Sequence, residues 1–108
     1  ALAVPAFTVA TDAATIEKGK AVFDARGCGA CHQFGSKLVG PDLNGIAERR
    51  TPDWIAKMVK HPNLMVRQDP EAKKLLGELM VEMPNQGVED AELGPLVSFL
   101  ASHPAGTP

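Results

Sequence analysis

Two cysteines and a histidine in the run Cys28-Gly29-Ala30-Cys31-His32 are the residues of this chain best equipped for chemistry. Wound into one helical turn, positions i, i+3 and i+4 send both thiols and the imidazole to the same face. Cys-x-x-Cys-His is the attachment signal for c-type haem. The thiols can add to the two vinyl groups of the porphyrin as thioethers, and the adjoining imidazole then stands over the iron. Gly27, Gly29 and Ala30 keep the local backbone small enough to lie against a flat ring. The expected product is one haem c per chain, covalent through Cys28 and Cys31, with His32 as an iron ligand.

Three other chemistries use the same residue types. A dithiol redox centre belongs at the mouth of a βαβ unit, and no strand pattern is visible here. A structural zinc site needs about four ligands, but beyond the cysteines only His32, His61 and His103 remain. A disulfide across two intervening residues closes a loop too small to gain much entropy.

The chain has 108 residues, enough for one domain. Its aromatic residues are Trp54, Phe7, Phe23, Phe34 and Phe99, with no tyrosine, a thin supply for a core. A haem would supply the large flat apolar body that is missing. The net charge of −2 argues against nucleic-acid binding. Charge is uneven: residues 71–108 hold six acids against Lys73 and Lys74, a net −4, and the rest of the chain carries +2. That acidic third reads either as a solvated face or as a surface that steers a basic partner. No apolar run approaches the roughly 20 residues of a membrane span. Ala1-Leu2-Ala3 has the small-x-small form of a cleavage region. Because thiol attachment of haem normally occurs outside the cytoplasm, an exported protein of the bacterial periplasm is expected.

The elements that must position the motif are helical. A first helix should start between Asp12 and Thr15, either able to cap it, carry Ile16, Gly19 and Phe23 on one side, and end before Gly27. Gly19 within a helix costs about 1 kcal/mol against alanine and so marks a close crossing. Thr51-Pro52-Asp53 announces a second helix with Trp54, Ile55, Met58 and Val59 as its apolar face, closed by His61-Pro62. A third starts at Asp69-Pro70, and Ala72, Leu75, Leu76, Leu79 and Met80 follow its 3.6-residue period. The last runs from about Asp90 to Ser102; Pro95 suggests a regular part beginning nearer Leu93. Residues 33–50 read as loop, and 1–11 and 103–108 as linker-like flanks of a domain over 12–102.

Cys28-Gly29-Ala30-Cys31-His32, then Gly40-Pro41-Asp42-Leu43, then Met83-Pro84-Asn85 before a terminal amphipathic helix follow in an order that resembles the class I c-type cytochromes. The resemblance covers most of residues 12–102. It implies an all-α cytochrome c fold, about four helices and long loops wrapped around one covalently bound haem. It implies His32 as one axial ligand, with the Pro41 carbonyl accepting its Nδ1 proton, a contact that fixes the tautomer and raises ligand basicity. The second ligand is then a methionine. Met58 reads as helix packing, Met65 as a loop residue and Met80 as part of an apolar stripe. Pro84 pushes Met83 toward an extended conformation, so Met83 is the first candidate, with Met80 and Met65 behind it. Asn85 is placed to support the Met83 loop, and Arg49, Arg50 and Trp54 stand where relatives hold haem propionates.

With both axial positions filled, the resemblance implies a one-electron carrier between respiratory redox partners, docking transiently at the haem edge, rather than an enzyme. The alternatives are a haem enzyme or gas-sensing domain with an open or labile sixth site, and an electron-transfer domain of a larger reductase or oxidase. Expressed with a working maturation system, the chain is expected to keep the added mass of one haem after denaturation. Intact-mass spectrometry checks this, and a mass equal to the bare polypeptide contradicts it.

Overall fold

Asp12 accepts the Thr15 N–H at 3.0 Å and starts α1 (Ala13–Ala25) in the computed structural model, which describes residues 2–105. Ala1 and the final Gly106-Thr107-Pro108 of the two flanks lie outside the described residues. Gly27, at φ 73°, ends the helix in the left-handed region that suits glycine. The chain then makes a 3-10 turn, Cys28–Ala30, and enters a loop.

Helix α6 (Asp90–Ala101) crosses α1. Gly19 is buried at that crossing. A Cβ added there would collide with the Pro95 carbonyl oxygen and come within 2.6 Å of the Phe99 Cβ. The helix cost of Gly19 is therefore offset by contact between two backbones. Phe23 and Phe99 meet beside it with ring centroids 5.5 Å apart, and Phe34 joins both at 5.7 and 5.6 Å. Leu93, Leu96, Val97 and Leu100 complete the main core.

Two more helices start as their capping residues predict. Thr51 accepts from the Trp54 N–H (3.1 Å) at the head of α3 (Pro52–Lys60), and Asp69 from the Ala72 N–H (3.0 Å) at the head of α5 (Pro70–Leu79). Between them lies α4 (Pro62–Gln68), a segment expected to be loop. Pro62 stops α3 but is itself the first residue of α4, a position where its missing N–H and fixed φ cost nothing. The stretch 33–50 likewise contains a single helical turn, α2 (Ile46–Arg49). The described residues thus form six α-helices, more than the four expected, and no strand.

Helix α6 starts at Asp90 despite Pro95, without the delay to Leu93 that proline suggested. The Glu92 carboxylate accepts the Glu89 N–H at 2.8 Å, and the two first-turn acids Asp90 and Glu92 suit the positive helix end. The missing Pro95 N–H forfeits one hydrogen bond. Ion pairing settles much of the charge asymmetry. Arg26 pairs with Glu92 (2.8 Å) and Glu89 (3.4 Å), Lys60 with Asp90 (2.8 Å) and Arg50 with Glu71 (2.9 Å). Four of the six C-terminal acids therefore face cations of the same molecule.

Residues 2–11 have no regular structure, yet they pack. The Ala10 N–H donates to Ser98 Oγ (2.9 Å), Val4 and Phe7 join the main core, and Leu2 joins a second cluster of Met65, Val66 and Ala72. After α6, His103 stacks on Phe34 with centroids 3.8 Å apart, and its carbonyl accepts the Gly45 N–H at 2.7 Å.

The Gly19 crossing is testable. Gly19→Ala gains helix propensity but is expected to lose about 1–3 kcal/mol net from overpacking, measured by denaturant unfolding of the haem-loaded protein; a neutral or stabilising result contradicts the crossing.

Candidate functional site

The attachment motif forms a tight turn in which one carbonyl does double service. Cys28 O accepts from both Cys31 N (3.2 Å) and His32 N (3.0 Å). That compact geometry brings Cys28, Cys31 and His32 to the wall of a single cleft. Cys28 and Cys31 are not bonded to each other. Burial pushes the Cys28 thiol above its ordinary pKa, the reverse of the depressed value that activates a dithiol redox centre. Among the described residues no group of three or more His, Cys, Asp and Glu could hold a metal ion, which leaves the zinc reading without a ligand set.

The loop after the motif seats the imidazole. His32 Nδ1 lies 3.1 Å from the Pro41 carbonyl oxygen, which can only accept, so the proton sits on Nδ1 and Nε2 is left with its lone pair unprotonated. Gly40 lies flat against the ring: a Cβ on it would clash with His32 Cε1 and stand 2.8 Å from Nδ1. Asp42, next after Pro41, holds the loop's shape, its Oδ1 accepting the Gly35 N–H (2.8 Å) and the Asn44 N–H (2.9 Å). These contacts, Asn44 first, hold the Asp42 carboxyl below its ordinary pKa. An acid following proline in a turn was the available signal for this role.

Arg49, which the resemblance offered to a propionate, is hydrogen-bonded to backbone. Its guanidinium donates to the Asn44 carbonyl (2.7 Å) and the Asp42 carbonyl (3.0 Å), bracing the same loop, and it does not line the cleft. Trp54 does line the cleft, but its indole N–H, which the resemblance offered to a propionate, is given to Asp69 Oδ2 at 2.9 Å. Burial works against ionisation of Asp69, yet the hydrogen bonds from Trp54, Ala72 and Glu71 keep it below its ordinary pKa. The Arg50 guanidinium lies over the Trp54 ring, 5.2 Å from its centroid. Asn85 also stays out of the cleft lining. It donates to the Lys60 carbonyl (3.3 Å) and accepts from Gly87 N–H (2.8 Å).

The cleft itself runs between two walls and holds about 1140 Å³ of empty space, its open mouth included. Cys28, His32 and Pro41 stand with Leu96 and Leu100 of α6 in its lining; α3 and α5 contribute Trp54, Met58, Val59, Leu75, Leu76 and Leu79. The apolar stripes of α3 and α5 had the right period but serve as cleft wall more than as closed core. Of the four methionines, Met58 and Met83 line the cleft. Met58 was expected to be packing only. Met65, expected in a loop, is on α4 and only 1 % exposed, sealed in the second cluster. Met80, expected on the apolar stripe, ends α5 in a left-handed conformation (φ 60°) and is 82 % exposed.

A long apolar cleft, two thiols at its edge, a tautomerically fixed imidazole and a thioether on a loop suit a covalently attached haem in donor type and in shape. The family comparison agrees. The cytochrome c family model matches residues 16–104, and the chain belongs to that family. Its members are haem proteins that carry electrons, typically not enzymes, and the Cys28–Cys31 spacing is that of haem c attachment.

The solved structures it resembles are small bacterial proteins. A cytochrome c from Rhodothermus marinus superposes with a TM-score of 0.83 at 26 % identity, covering 91 % of this chain and 84 % of that one. An engineered form of that cytochrome, bound to a carbene intermediate, gives 0.78 at 26 % identity with the same coverage, 91 % and 84 %. A cytochrome c domain of a Pseudomonas putida protein gives 0.69 at 33 % identity, covering 78 % and 85 %. Comparison with curated protein sequences found no match. No helix among the described residues is long and apolar enough to cross a membrane.

Acid should loosen the Pro41 loop through Asp42. Its folded pKa lies below the ordinary value of about 3.9, so its contribution is complete above that pH and fades as pH falls through the folded value. Asp42→Asn is expected to be less stable than the parent near pH 7, with the gap closing below about pH 4. Denaturant titrations across that range check it; a gap independent of pH contradicts it.

Proposed function

We propose that the protein is a one-electron carrier whose iron is held by His32 and Met83, working between respiratory redox partners in the bacterial periplasm. The observation that carries this reading is that the histidine next to the attachment thiols and a methionine on an irregular loop line one apolar cleft. Met83 precedes Pro84 in a segment without helix or strand, so its side chain is free of the constraint that α3 puts on Met58.

Haem bound here supplies a metal centre that changes oxidation state by one electron. The chain's part is to hold that centre still. Pro41 and Gly40 fix the plane and tautomer of the His32 ring, and the Met83 thioether, a soft ligand, favours the reduced state and raises the potential. Ligands that stay bound in both oxidation states keep reorganisation small. The apolar walls exclude water from the ring faces, which raises the potential further. Val39 and Val81, each about half exposed, border the cleft, with Leu38 and Met80 beside them in sequence. They form an apolar rim suited to brief contact of small area with a partner protein.

A second reading, an open or labile sixth site, draws support from the engineered relative that holds a carbene intermediate. The match to a cytochrome c domain of a Pseudomonas putida protein favours a third, a role within a larger redox assembly. Met83→Ala separates the first two. The ferric near-infrared band of sulfur-to-iron charge transfer should vanish and carbon monoxide should bind the reduced variant rapidly. The potential should fall by a sizeable share of the roughly 0.8 V that axial ligands command. A band that survives in Met83→Ala assigns the ligand elsewhere, with Met58 next to test. Rapid carbon monoxide binding by the unaltered protein supports the open site.

A further inference from the structure

We infer that Lys60 is a positioning residue for the Met83 loop, an assignment that rests on Met83 being the second iron ligand. Residues 80–89 connect α5 to α6 with no helix or strand of their own, so their shape depends on what fastens them. Three fastenings converge on the last residue of α3. The Lys60 carbonyl accepts from Asn85 Nδ2 at 3.3 Å, two residues past Met83. The Lys60 ammonium donates to the Val88 carbonyl at 2.9 Å and pairs with Asp90 Oδ1 at 2.8 Å.

The far end of the loop is rooted by burial. Val88 is 4 % exposed and belongs to the main core, so the carbonyl that Lys60 reaches is itself fixed. The Lys60 side chain is 21 % exposed, well sheltered for a lysine, and a charge-assisted bond in such a place is of the stronger kind. Asn85 then closes a short turn by accepting the Gly87 N–H at 2.8 Å. Between them, these contacts tie the segment just after Met83-Pro84 to the helix that sends Trp54, Met58 and Val59 into the cleft. Lys60 therefore holds the loop at two places, its backbone carbonyl at Asn85 and its ammonium at Val88 and Asp90. The ammonium fixes the end of the loop against which the Met83 side is tensioned. Lys60 itself does not line the cleft, so it acts through the loop.

The test uses the full chain matured with haem. Lys60→Met keeps the aliphatic stem and removes the ammonium; Lys60→Arg keeps the charge and a donor. The near-infrared sulfur-to-iron band of the ferric protein is followed with temperature alongside far-ultraviolet circular dichroism, and carbon monoxide binding is timed in the reduced protein. In Lys60→Met the band should fade before the helical signal, and carbon monoxide should bind roughly tenfold faster, as expected when one charge-assisted bond no longer opposes loop opening. Lys60→Arg should restore both readouts toward the parent.

If band and helix melt together in Lys60→Met and carbon monoxide binding is unchanged, Lys60 does not position the ligand. If the unaltered protein has no such band, the failure belongs to the Met83 assignment instead. Should Lys60→Met yield no haem-loaded protein, Asp90→Asn, which removes the ion pair together with one favourable first-turn charge of α6, is expected to move both readouts the same way by about twofold. No movement there overturns the inference.

Discussion

Apolar side chains on α6 face others on α3 and α5 across a space that a large flat body can fill and water fills badly. Exposed apolar surface costs about 25 cal/mol per Å², so a body that covers these walls stabilises the fold, while other contacts set where the walls stand. The α1–α6 crossing at Gly19 sets one wall. Asp69 sets the other, capping α5 while it accepts the Trp54 indole of α3. Loading such a chain with haem completes its core, and anything that binds the folded form alone also stabilises it.

The loops answer to that same space. Residues 33–44 bring Pro41 and Gly40 to the His32 ring, and their turn is kept by Asp42 and Arg49 working inward on backbone groups. Residues 80–89 bring Met83 to the same cleft. Polar side chains near this site mostly hold backbone in place and leave the cleft lining apolar.

Much of this was written in contiguous residues. Cys28, Cys31 and His32 needed only one turn to meet, and the caps Asp12, Thr51 and Asp69 act within three residues of themselves. Gly19 announced its crossing because a glycine within a helix needs a reason. Signals that point two ways were harder. Pro62 stops one helix and starts the next, so α4, and with it the burial of Met65, could not be separated from loop. Met80 completes an arithmetic stripe but falls just where α5 ends, and there the side chain turns outward. Roles set across distance left no local trace: Asp69 lies fifteen residues from the indole it receives, and nothing local in Arg49, which the resemblance offered to a propionate, announced its bonds to the carbonyls of Asp42 and Asn44.

The outward turn of Met80 has a chemical consequence. Dissolved peroxide or hypochlorite meets this sulfur, 82 % exposed, well before it reaches Met65 at 1 %. Conversion to the sulfoxide turns a flexible apolar group polar. At position 80 that change falls on open surface and disturbs no packed neighbour, whereas at position 65 it would set a dipole inside a sealed cluster. Damage at the surface is thereby separated from damage to the fold.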